Sequence, residues 1–132
     1  MRKLLLASVA ALGLAYARLF GGPMDDTAWD VKIKPDSLLS FSKSDTLVFR
    51  RGRLSMAGFI ASGFSPASYN AQKVDGDSET VWNASLEHPD RGVVSLQGLV
   101  RGDQVEGVAV WWTRDGKLKK FTFHGSRKGA EI

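Results

Sequence analysis

Hydrophobic and polar residues alternate with period two along most of the chain, the spacing of strands that bury one face. In Thr27 to Lys34, Trp29, Val31 and Ile33 share a face while Asp30, Lys32 and Lys34 share the other. Leu47 and Phe49 repeat the pattern, followed by Leu54 with Met56 and by Trp82 with Ala84 and Leu86. Val94, Leu96, Gly98 and Val100 are in phase, as are Val105, Gly107, Ala109 and Trp111, and Phe121 with Phe123. The runs are separated by Arg51-Gly52, Asp75-Gly76-Asp77, His88-Pro89-Asp90-Arg91, Arg101-Gly102-Asp103 and Asp115-Gly116. Gly and Asp tolerate the positive φ that tight hairpins require. The pattern predicts eight strands, over 27–34, 45–50, 53–57, 67–74, 79–87, 92–101, 104–113 and 117–125. Helical periodicity competes only in Ala57 to Ser62, which has room for one short turn.

Short connections between sequential strands make an antiparallel meander, and eight strands can close and so remove their exposed edges. The expected fold is all-β, an eight-stranded antiparallel up-and-down barrel; a two-sheet sandwich is the alternative, since local patterning does not separate the two. In a meander the connections alternate between ends. The long stretches 35–44 and 57–66 therefore share one rim with 88–91 and 114–116, and the tight turns lie at the other.

The first residues change the picture. Arg2 and Lys3 precede an apolar run from Leu4 to Leu14, and Ala15-Tyr16-Ala17 has the form of a cleavage site. This predicts a signal peptide over 1–17, an N-terminal extension over 18–26 and a barrel domain over 27–128, with the protein exported to the periplasm or secreted. The apolar run is too short for a permanent span of the roughly 30 Å hydrocarbon core, so no transmembrane segment is expected after cleavage. Without cysteine, stability has to come from one apolar core. Loss of Arg2 and Lys3 would take the formal charge from +4 to +2, too weak and too interspersed a balance to point to nucleic acid.

Thr27-Ala28-Trp29-Asp30-Val31 at the first strand resembles the G-x-W opening of lipocalins and other calycins, and Arg127 resembles their C-terminal arginine. The resemblance implies that Arg127 packs over Trp29 at a closed barrel base, with a ligand entering at the opposite mouth. A longer pattern, from Pro35-Asp36 through Asp45 to Phe49, Gly63-Phe64, Tyr69, Asp115-Gly116 and Phe121 to Phe123, is similar to small exported bacterial proteins without an assigned activity.

An eight-stranded barrel is just wide enough to be filled by side chains or to hold one small ligand. Gly98, Gly107 and Ala109 could border a cavity or make room for tryptophans. The first expectation is a non-catalytic carrier or sensor of a small, partly apolar or amphipathic molecule, held by Tyr69, Trp82, Trp111 and Phe121. With Trp111 inward, Trp112 faces out beside Val108 and Val110, a stripe suited to an envelope protein unless Leu19 to Met24 folds over it. That gives the second expectation, an interaction module or inhibitor using this stripe or the basic mouth of Arg114, Lys117, Lys119 and Lys120; a further basic group, Arg50, Arg51 and Arg53, falls at the base.

Chemistry beyond binding finds little support. No metal or other cofactor is expected, since His88 and His124 alone cannot form a His/Cys site. No elbow motif accompanies a serine, and Asp36 with Asp45 is the one candidate carboxylate pair. Arg101-Gly102-Asp103 reads as a hairpin turn rather than an adhesion motif, and Asp75 to Glu79 as an acidic turn rather than a calcium loop. In the Asn83-Ala84-Ser85 sequon, Ala84 is expected to point inward. No catalytic residue is assigned; a barrel enzyme is the least supported reading.

Overall fold

The computed structural model describes residues 22–36, 42–58, 63–74, 76 and 78–129. The expected leader, its cleavage site, Leu19 and Phe20, residues 59–62 of the helical turn expected over Ala57 to Ser62, and Asp75 and Asp77 lie outside them. The strands are β1 (Thr27–Pro35), β2 (Lys43–Arg50), β3 (Arg53–Met56), β4 (Ala67–Val74), β5 (Glu79–His88), β6 (Gly92–Arg101), β7 (Gln104–Trp112) and β8 (Leu118–Arg127). Each pairs antiparallel with its sequence neighbour, and β1 pairs with β8 from Trp29↔Arg127 to Pro35↔Phe121, so the sheet is a closed up-and-down barrel. That closing pair excludes the sandwich.

The alternating residues do what their spacing predicts. Trp29, Val31 and Ile33 of β1 are buried between exposed Asp30, Lys32 and Lys34, and the inward sides of the other strands join them in one core. Transfer of apolar side chains out of water, at about 25 cal/mol per Å² of buried surface, is the main force holding the closed sheet together. The β2–β3 connection is a two-residue turn in which Arg51 and Gly52 have φ of 54° and 74°, the backbone of a type I′ hairpin. The ladder is shortest between β3 and β4, where only Arg53↔Ser68 and Leu54↔Ala67 are in register.

The base is closed by the segment just before β1. Met24 is buried in the core. The Asp25 carboxylate accepts hydrogen bonds from the Gly52 amide at 2.9 Å and the Tyr69 hydroxyl at 2.7 Å. Trp29 Nε1 donates to Thr27 Oγ1 at 2.9 Å, and that hydroxyl donates to the Met24 carbonyl at 2.6 Å.

Candidate functional site

Three regions have the residues that the sequence singles out: the barrel axis, the mouth and the outer wall of β7 and β8. On the axis, Phe49 meets Tyr69 edge-on at 4.9 Å between ring centroids and Trp82 at 5.0 Å, and Trp82 lies 5.9 Å from Phe123. Tyr69 and Trp82 are each 1% exposed. The small residues serve these rings. A Cβ on Gly98 would lie 2.3 Å from the Trp82 indole, and one on Gly107 would lie 2.5 Å from Phe123 Cζ. Burial, then the Asp25 hydrogen bond, raises the Tyr69 pKa well above its ordinary value, since both disfavour a phenolate. The Tyr69 hydroxyl is thus committed to the base segment.

At the mouth, Trp111 is half-buried at the rim of the core. Its Nε1 donates to the Arg91 carbonyl at 2.7 Å. The Arg91 guanidinium is 5.3 Å and the Lys119 ammonium 5.1 Å from its ring centroids, both within cation–π range. Phe64, which periodicity does not flag because it belongs to a long connection, is buried between His88 at 5.4 Å and Trp111 at 6.1 Å. His88 Nδ1 accepts from the Asp90 and Arg91 amides and so organises its own turn. Phe121 is buried in the core. Of the four residues expected to touch a ligand, only Trp111 reaches the rim.

On the outer wall, Val108, Trp112 and Leu118 are the exposed large hydrophobics among the described residues, at 42%, 51% and 49%. Trp112 stands opposite Leu118 across the β7–β8 ladder, Val110 opposite Lys120 and Val108 opposite Thr122. Val110 is half-buried. Leu118 extends the expected stripe, and its signal was its phase: two residues before Lys120 and three before inward-facing Phe121, it has to point out. Arg127 is exposed and stands opposite Trp29 in the ladder; among the described residues, the cation–π contacts on tryptophan are those on Trp111, at the other end of the barrel.

The remaining polar candidates are dispersed. Asp45 is buried opposite Val31, with Oδ1 accepting from the Thr46 amide at 2.7 Å and Oδ2 without a partner among the described residues. Asp36 is exposed at the far end of β1, five residues beyond Val31 and so about 17 Å along the strand, where its amide bonds the Lys120 carbonyl. The two carboxylates are not brought together. A shallow groove of ≈ 590 Å³ crosses the outer face of β8, β1 and β2 past Asp30, Lys32, Ser44 and His124. Lys32 donates to Ser44 at 2.8 Å there. Asn83 pairs with Asn70 on the wall of β4 and β5. Comparison with protein-family models, curated proteins and solved structures found no match to this chain.

Proposed function

We propose that the protein is an exported, non-catalytic binding protein of calycin-like build that works through its outer surface, at the wall and tip formed by β7 and β8, on a component of the cell envelope. The observation that carries this reading is the placement of Val108, Trp112 and Leu118, the exposed large hydrophobics among the described residues, on one wall. A contiguous apolar patch containing tryptophan is the kind of surface that partners use. The carrier reading has its support at the mouth, where Trp111 sits between two cations. There it takes the form of an anionic amphipathic ligand lying on the rim, because the axis is occupied by rings.

Trp112→Ala should change stability by no more than about 1 kcal/mol, the range of surface substitutions, with cooperative unfolding unchanged. A photo-crosslinking side chain at position 112 should give an adduct in the native envelope, and one at position 32, on the β1 wall, should give none. Equal adducts at both positions, or unfolding of the alanine variant, would remove the wall as the working surface.

A further inference from the structure

The tip of the β7–β8 hairpin carries a second property that the apolar stripe does not require. Between Trp112 and Lys120 the chain places Arg114, Lys117, Lys119 and Lys120 against a single carboxylate, Asp115, which is 3.8 Å from Lys117. All four basic residues are exposed, as are Trp112 and Leu118. Trp112 and Leu118 face each other across the last rung of the ladder, directly beneath the 113–117 turn. With the β7–β8 wall turned to a bilayer, Trp112 and Leu118 reach the interface while the cations of the turn and Lys120 flank them at headgroup level, the layering of a membrane interface. Basic residues lie over anionic headgroups there, and tryptophan sits at the headgroup level with aliphatic side chains below.

We propose that this hairpin tip docks the barrel onto an anionic phospholipid bilayer, with Trp112 and Leu118 entering the interface and the four basic residues lying over the headgroups. The proposal rests on the reading that the β7–β8 surface is the working one, and names its partner. Charge complementarity favours lipid over protein. A polybasic cluster gains about 1 kcal/mol per Lys or Arg at an anionic surface without needing a shaped counterpart. The barrel docks and does not span. A membrane-spanning barrel turns an apolar band outward and polar residues inward, whereas here the core is apolar and Asp30, Lys32, Lys34 and Glu106 face out.

The test is vesicle partitioning of the full chain. Vesicles of phosphatidylcholine with about one third phosphatidylglycerol should retain the protein and lose it as salt is raised, since surface attraction decays within a Debye length of roughly 10 Å at 0.1 M. Lys119→Gln with Lys120→Gln should weaken partitioning about thirtyfold, whereas Arg50→Gln with Arg53→Gln, exposed at the β2–β3 turn at the other end of the barrel, should leave it within about twofold. Brominated lipid should quench emission in the wild type, and Trp112→Phe should abolish that quenching. Partitioning that is unaffected by the hairpin substitutions overturns the proposal, because another part of the chain then holds the vesicle. No vesicle binding by the wild type, together with an envelope-protein adduct from position 112, overturns the lipid partner and leaves the outer-wall reading standing. Loss of both removes the reading as well.

Discussion

Gly98→Ala is expected to destabilise the barrel by about 3 kcal/mol or more, and Gly98→Val to leave little folded protein at room temperature. Gly98 of β6 pairs with Trp82 on one side and Gly107 on the other. A methyl group there would sit 2.3 Å from Trp82 Cε2 and Cζ2, well inside contact distance. Phe49 at 5.0 Å and Phe123 at 5.9 Å limit how far the indole can shift. Overpacking a closed core typically costs 1–3 kcal/mol, and more where rings cannot shift. Against a total stability of about 5–15 kcal/mol this is a large fraction. Gly102→Ala is the matched comparison. Its φ of +57° strains a side chain but nothing lies within 4 Å, so the loss should stay near 1 kcal/mol. Urea denaturation followed by tryptophan emission reads both, and Gly98→Ala with Trp82→Phe should recover part of the loss. A Gly98→Ala protein as stable as the wild type would mean that the axis has slack beside Trp82, which returns the interior to the carrier reading.

The same glycine shows where sequence stops being informative. Period-two alternation locates all eight strands, because the inward face of every strand meets the same core and each side chain's phase is a local property. Only β4 and β6 have the expected bounds; the other six differ at their ends by one or two residues, as where β1 runs to Pro35, β2 starts at Lys43, β3 ends at Met56, β5 runs to His88, β7 ends at Trp112 and β8 spans Leu118 to Arg127. Barrel closure is different in kind. It depends on β1 meeting β8 across about a hundred residues, and no local pattern records that pairing. The meaning of Gly98, Gly107 and Ala109 was open for a related reason. A missing side chain makes space, and whether a ring or a ligand fills it depends on strands far apart in sequence, here the Trp82 and Phe123 neighbours.

The candidate site was legible in proportion to how much of it lies on strands. Trp112 has to face outward once Trp111 faces inward, and the same reasoning applied to Phe121 places Leu118 beside it. Phe64 and Asp25 lie outside the periodic runs, and nothing in their spacing marks one as part of the rim and the other as the acceptor at the base. The shared carboxyl chemistry of Asp36 and Asp45 suggested a pair, but strand length separates them, since β1 carries one to the rim and β2 holds the other inside.

Asp25→Ala should cost about 3 kcal/mol. The carboxylate holds two donors from different elements, the Gly52 amide and the Tyr69 hydroxyl. Hydrogen bonds to a charged acceptor contribute about 1.5–3 kcal/mol, and a donor left buried without a partner loses a similar amount. The Gly52 bond also steadies a turn in which Arg51, a residue with a side chain, has a φ of 54°, so its loss should show first as faster opening of β2 and β3. Asp25→Asn keeps an acceptor oxygen and should lose less. Tyr69 adds a pH signature whose sign follows from its raised pKa. In the unfolded chain a tyrosine titrates near 10, whereas in the barrel burial and Asp25 hold the proton to higher pH. The folded state therefore binds more protons above about pH 10. The Tyr69 contribution is complete below that pH and declines as pH rises beyond it, by up to about 1.4 kcal/mol per unit. Tyr69→Phe lacks the hydrogen bond to Asp25 and should be less stable at pH 7. Its stability should fall less steeply above pH 10, so the gap between the two proteins narrows. Lysine titration is common to both and cancels in the difference. A constant gap from pH 8 to 11 would mean that the Tyr69 proton leaves as readily in the barrel as in water, contrary to a closed base.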